Sequence, residues 1–275
     1  MEFGANLSYK INACMKLIRC LCASIFILLS CKQQPRIEFL QQNSVSLAQP
    51  RVIANKTFID SFVTIQAYLK VKDVAIHYTS NGEVPSLNSE KYTQPIKVSN
   101  PGIYKFRAFH NNWKPSEVTE IELFKKGISA EAILWHTKAS EKYIGQGSQT
   151  LINQTKATLN FTDNQWVGFD SVAVATVMFK EKTFIKLVTI SYLNDVSSWI
   201  FPPESIEVVV NNDKKIKSLI PLKEGVDKKN ETLNVPIETE VFSLKIQVNN
   251  LQSIPEWHEG KGQKAWLFMD EFIFN

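Results

Sequence analysis

Beyond residue 31 the chain has no cysteine: all four, Cys14, Cys20, Cys22 and Cys31, lie near the N-terminus of 275 residues. The rest of the chain therefore forms no disulfide and no cysteine-ligated metal centre. Long amphipathic helical periods are also scarce, and the runs of Val, Ile, Phe and Thr that replace them favour strands. Histidine occurs only at His77, His110, His136 and His258, never paired at metal-ligand spacing, and no serine sits in a Gly-x-Ser-x-Gly elbow. Gly145-Gln146-Gly147 and Gly260-Lys261-Gly262 fall short of a phosphate loop and read as turns. Excess charge is missing too. Past residue 30, 28 basic residues face 26 acidic ones, and the clusters Lys125-Lys126, Lys214-Lys215-Ile216-Lys217 and Lys228-Lys229 fit turn tips, so no nucleic-acid partner is expected.

The first 50 residues read as targeting and tether. Met15-Lys16-Leu17-Ile18-Arg19 is a short basic start, and Leu21–Leu29 is an apolar run too short to span a bilayer but suited to a signal sequence. It ends in Leu28-Leu29-Ser30-Cys31, which resembles a bacterial lipobox. The resemblance implies cleavage before Cys31, acylation of that residue, and a cell-envelope protein held by its lipid on the outer membrane, at the periplasmic side or the cell surface. Residues 1–30 are then the signal peptide, with Met15 as the true start. Residues 31–50, rich in Gln, Asn and Ser, are the tether.

From Arg51 to Lys126, six or seven short strands in about 75 residues indicate an immunoglobulin-like β-sandwich. Ser80-Asn81-Gly82 supplies a tight turn. The stretch Ile76-His77-Tyr78-Thr79-Ser80-Asn81-Gly82-Glu83-Val84-Pro85, followed by Tyr92-Thr93-Gln94-Pro95-Ile96, Phe106-Arg107-Ala108 and Pro115-Ser116-Glu117-Val118, resembles the small C-terminal sandwich domain of bacterial chitobiases and β-hexosaminidases. In that family the domain is a spacer or support.

Lys125-Lys126-Gly127 interrupts the apolar pattern and marks a junction. From residue 127 to 275 about eight longer strands suggest a β-jelly roll, with Val172–Phe179 and Phe184–Leu193 read as separate strands. The last strand alternates Trp266, Phe268, Phe272 and Phe274 with Leu267, Met269 and Ile273, so both faces are apolar and the strand belongs in the middle of a sheet, with Trp266 in the core. The landmarks Tyr143-Ile144-Gly145, Trp166-Val167-Gly168-Phe169, Trp199-Ile200-Phe201-Pro202-Pro203 and Pro255-Glu256-Trp257-His258 resemble the galactose-binding, discoidin-like module that follows the small sandwich in Bacteroidetes-type β-hexosaminidases. The catalytic barrel of that family is absent from these residues, so no enzyme is expected.

Asp270 and Glu271 are neighbours on one strand, and alternation sends them to opposite faces, so they do not make the carboxyl pair of a glycoside hydrolase. The resemblance turns Glu271 inward toward a structural calcium shared with the loop around Asn153. Gln154 and Ala157 stand where that loop usually has glycines and Asn153 is neutral, so a hydrogen-bonded, metal-free Glu271 is the alternative. The remaining vocabulary is aromatic. Trp257, set among turn residues, is the candidate stacking platform for sugar, with His258 and Glu259 as hydrogen-bond partners, while Trp166 and Trp199 are stacking faces or packed plugs. The expected function is a non-catalytic, lipid-anchored protein binding carbohydrate or polysaccharide. The alternatives are a structural or protein-interaction module among glycan-processing proteins, or the partner of a separately encoded β-N-acetylhexosaminidase.

Overall fold

Alternation and turn chemistry define the strands of the first half. The computed structural model describes residues 45–222, 224 and 228–275. The signal peptide, Cys31 and the tether as far as residue 44 lie outside the described residues. β1 (Arg51–Ala54), β3 (Val63–Tyr68) and β6 (Ile96–Val98) form one sheet. β2 (Phe58–Ile59), β4 (Ala75–Thr79), β5 (Glu90–Tyr92), β7 (Gly102–Phe109) and β8 (Thr119–Lys125) form the other. Val63, Ile65 and Ala67, every second residue of β3, face Tyr104, Phe106 and Leu123 across the sandwich. The turn after β4 is closed by the Asn81 side chain, which accepts from Glu83 N–H at 3.1 Å, and by Gly82 at a φ of 78°. The sandwich starts earlier than Arg51. Leu47 is buried in its core and its N–H donates to the Lys114 carbonyl at 3.0 Å, so the apolar side chain draws the end of the expected tether into the domain.

The second set of strands makes one seven-stranded sheet folded over on itself. It contains β9 (Ala132–Trp135), β10 (Val167–Phe169), β11 (Ala173–Asn194), β12 (Ser205–Val210), β13 (Lys214–Leu219), β14 (Lys229–Asn249) and β15 (Leu267–Phe274). The two strands expected over 172–193 are the single 22-residue β11. Between Met178 and Thr183 the chain bulges instead of turning, opposite the single residue Phe242 of β14, and a second bulge follows between Ile185 and Leu187. Such bulges bend a strand without ending its pairing. One edge of β11 consequently serves two neighbours: Ala175–Met178 pair with β9, and Val188–Tyr192 pair with β15. The space enclosed is filled by Val177, Ile185, Val188, Ile190, Val208, Ile246, Leu267 and Met269. β15 lies between β10 and β11 with all eight residues buried, as its two apolar faces require.

At the junction, Lys126 N–H donates to Ile59 of the first sandwich and Ile128 N–H to Phe274 of β15, at 2.9 and 2.7 Å. Gly127 sits between them. A Cβ there would lie 2.5 Å from the Phe274 carbonyl oxygen, so no other residue allows this approach. β15 thus runs from a loop-rich end at Leu267 to the junction at Phe274. Eight residues at about 3.3 Å each separate the two ends.

Candidate functional site

The loop-rich end of β15 carries a cup of aromatic side chains. Trp266, immediately before β15, is tied by backbone bonds to the segment 199–201. Its N–H donates to the Trp199 carbonyl at 2.9 Å, and its own carbonyl accepts from Phe201 N–H at 3.0 Å. Trp199 is left-handed, with a φ of 63°, at the end of a short 3-10 turn over Val196–Ser198. That backbone is unusual for a bulky residue and is held here by the pairing with Trp266. Tyr143 joins from the loop after β9: its carbonyl accepts from Gly168 N–H of β10 at 2.8 Å. Phe161 comes from the turn 158–166, held by Asp163, whose carboxylate accepts from both Thr158 N–H and Thr158 Oγ1 at 2.9 Å.

These side chains, with Ser198, Ile200 and Phe268, line a cavity of about 230 Å³. The rings meet edge to face, Tyr143 against Phe268 at 4.7 Å and against Trp266 at 5.6 Å. Tyr143, Phe161, Trp199 and Trp266 are only half-buried, whereas Phe268 is fully buried beneath them as the floor. None of the lining residues is charged. Lysines stand outside, Lys142 Nζ 5.1 Å from the Tyr143 ring and Lys228 Nζ 5.6 Å from the Phe161 ring. Lys228 also pairs with buried Asp195 at 2.7 Å. Burial alone would raise the Asp195 carboxyl, but hydrogen bonds from Lys228, Ser198 and Ser197 outweigh it and hold the group below its ordinary value.

The loop Pro255–Gly262 packs on the other side of Trp199. Gly260 lies so close that a Cβ would stand 3.0 Å from the indole of Trp199. Trp257 is 41 % exposed and leans on Phe201 with ring centroids 6.2 Å apart. His258 is committed inside the protein: Nδ1 accepts from Gly260 N–H at 3.0 Å, which leaves Nε2–H to donate to the Val196 carbonyl at 3.1 Å. Both ring nitrogens are thereby used, so His258 orders the loop rather than offering a polar contact to a ligand. Glu259 is exposed. Trp166 is removed from the stacking faces. It is 1 % exposed, packs against Phe268, and donates its indole N–H to the Thr158 carbonyl at 2.9 Å. Trp266, expected in the core, instead forms a wall of the cup because β15 begins one residue later.

Residues 55–120 match the family described as the chitobiase/beta-hexosaminidase C-terminal domain. The match covers most of the small sandwich and none of the jelly roll. No curated protein matches the chain. Among solved structures, CpGH89CBM32-4 of Clostridium perfringens, in complex with GlcNAc-α-1,4-galactose, is 11 % identical with a TM-score of 0.33, covering 54 % of this chain and 91 % of that one. SusE-like protein BT2857 is 11 % identical with a TM-score of 0.32, over 82 % of this chain and 95 % of that one. A fucolectin from striped bass serum, Morone saxatilis, is 9 % identical with a TM-score of 0.32, over 78 % and 77 %. At these scores the likenesses define no ligand for this chain.

The expected metal residues lie midway along β15. Asp270 sits at a bulge, since Ser191 pairs with Glu271 but Tyr192 pairs with Met269. The bulge overrides strict alternation, and both carboxylates, fully buried, reach the loop 153–157 rather than opposite faces. Asp270 accepts from Ala157 N–H at 2.8 Å and Glu271 from Thr155 N–H at 3.3 Å. Burial raises Glu271 to about 8, with the Asp270 charge adding to it and the loop N–H groups and Lys156 opposing. Asn153 is engaged with Gln165 in a reciprocal amide pair at 3.0 and 3.1 Å. Among the described residues no three His, Cys, Asp or Glu side chains gather as a metal cluster.

Proposed function

We propose that the chain is a non-catalytic accessory protein that binds carbohydrate through the aromatic cup of Tyr143, Phe161, Trp199 and Trp266. A lipid on Cys31 would hold it to the outer membrane. The cup is the observation that carries this reading. Sugars present C–H faces that pack on aromatic rings, and four half-exposed rings around a fixed floor offer such faces at low conformational cost. A volume of about 230 Å³ is below the roughly 300–1,000 Å³ of a drug-sized pocket and suits one sugar ring at a chain end. An uncharged lining favours a neutral sugar. Trp257, exposed beyond Trp199, extends the apolar surface for a following residue of the glycan.

The position of the cup supports the same role. It opens at the end of β15 remote from Gly127, at the opposite end of the strand from the junction with the small sandwich. The family match of residues 55–120 supports service beside glycan-processing enzymes. The test is a glycan array probed with the purified chain. Selective retention of glycans ending in a neutral hexose or N-acetylhexosamine is the expected result. Absence of any glycan signal, with the protein shown to be folded, would turn the reading toward a structural or protein-binding module.

A further inference from the structure

The loop 153–157 and the middle of β15 pose a charge problem that the chain solves with its own side chains. Asp270 and Glu271 are both fully buried, and a buried carboxylate is stable only when paired or hydrogen-bonded. Lys156 enters from the loop. Its side chain is 6 % exposed, and its ammonium lies 2.7 Å from the Asp270 carboxylate and donates to Ser191 Oγ. Most oxygens that face the neighbouring space are also occupied, while Glu271 Oε1 and Gln154 Oε1 are buried without a hydrogen-bond partner among the described residues. The Gln165 amide nitrogen, in a residue 2 % exposed, lies 3.2 Å from the Thr150 carbonyl, 3.0 Å from Asn153 Oδ1 and 3.4 Å from the Asp270 carbonyl. Asn153 Oδ1 further accepts from Thr155 N–H at 2.9 Å.

Calcium requires six to eight free oxygen ligands. Here, among the described residues, only two buried side-chain oxygens, Glu271 Oε1 and Gln154 Oε1, are left free, the others converge on an amide donor and an ammonium, and that ammonium repels a divalent cation. The residues present do not fit the metal.

We propose that Lys156 is a built-in cation of the jelly roll, balancing the buried Asp270 carboxylate and fixing loop 153–157 so that the domain needs no calcium. The same ammonium lies 5.4 Å from the Phe124 ring of β8, a cation–π contact that fastens the loop to the small sandwich as well. The device therefore serves the junction between the two sandwiches as much as the loop.

The test uses the whole chain and its melting temperature. The parent is expected to melt at the same temperature in EDTA and in millimolar calcium. Lys156→Met, which keeps the aliphatic length and removes the charge, is expected to lower Tm by roughly 6–15 °C by leaving Asp270 uncompensated. Lys156→Met combined with Asp270→Asn removes both charges, keeps an acceptor for Ala157 N–H, and is expected to recover at least half of that loss. Three results would each overturn the proposal: a parent Tm that falls in EDTA, a Lys156→Met protein that melts like the parent, or a double variant no more stable than the single one. If Lys156→Met does not fold, the EDTA comparison and the double variant still decide.

Discussion

Trp166→Ala is the perturbation whose size the structure defines most fully. The indole is 1 % exposed and belongs to a cluster with Ala157, Leu193, Ile200 and Phe268. Deleting it leaves a cavity that these neighbours, fixed on β11, β15 and the paired segment 199–201, fill only in part, at a cost of about 3–5 kcal/mol. The Thr158 carbonyl loses its 2.9 Å donor, adding about 1 kcal/mol. For a unit of this size 1 kcal/mol moves Tm by roughly 2–4 °C, so a fall of about 8–24 °C is expected. Trp166→Phe keeps most of the bulk and loses the N–H, and it should lie well above Trp166→Ala. The same turn holds Phe161, so loss of Trp166 should also weaken ligand binding without any direct contact. Thermal melts followed by circular dichroism, with urea titration of the same variants, read these values. A Trp166→Ala protein that melts within about 2 °C of the parent would refute the packing argument and return Trp166 to the set of stacking faces.

Four further outcomes are expected. Glu271 is raised from 4.5 to about 8, so its folded state binds the proton more tightly, and its contribution is full below the ordinary carboxyl range and lost as pH rises toward 8. Stability of the parent should therefore decline from pH 5 to 8 relative to Glu271→Gln, by up to about 1.4 kcal/mol per pH unit; parallel Tm curves for the two proteins would contradict it. Cys31→Ala should release the protein from membranes, and labelled palmitate should enter the parent alone. Purified chain should not turn over aryl N-acetylglucosaminides; turnover abolished by Glu271→Gln would show catalysis. Gly127→Ala should lower Tm by several degrees, because the new Cβ meets a backbone oxygen, and an unchanged Tm would show that the junction opens freely.

Much of the architecture is legible in the residues because burial is periodic. The two apolar faces of β15 announce a central strand, and the Asn81-Gly82 turn announces its own backbone. What alternation hides is irregularity. Lys180-Glu181-Lys182 reads as a turn between two strands, yet it is a bulge within β11, since a charged bulge and a charged turn have the same composition. The bulge at Asp270 is equally silent, and it brings to one loop two carboxylates that alternation assigns to opposite faces. The site shows a related limit. Trp266 shares parity with Phe268, but whether the first residue of such a run is covered depends on where the strand begins. Tyr143 and Phe161 reach the cup from distant loops, and only the Tyr143-Ile144-Gly145 landmark gave any signal for either. Trp166 and Trp199 carry similar local sequence, and tertiary packing alone separates the buried one from the half-exposed one.

The central claim is that the cup, rather than the loop 255–262 by itself, holds the sugar. It is tested most directly by isothermal titration of the glycan selected by the array into the parent and into Trp266→Ala, with melting temperatures measured on the same samples. Losing one stacking wall should cost roughly 1–2 kcal/mol, a fall in affinity of about fivefold to thirtyfold, with the protein still folded at the titration temperature. Trp257→Ala, titrated alongside, should lose less. Unchanged affinity in folded Trp266→Ala would contradict the account and place the ligand elsewhere.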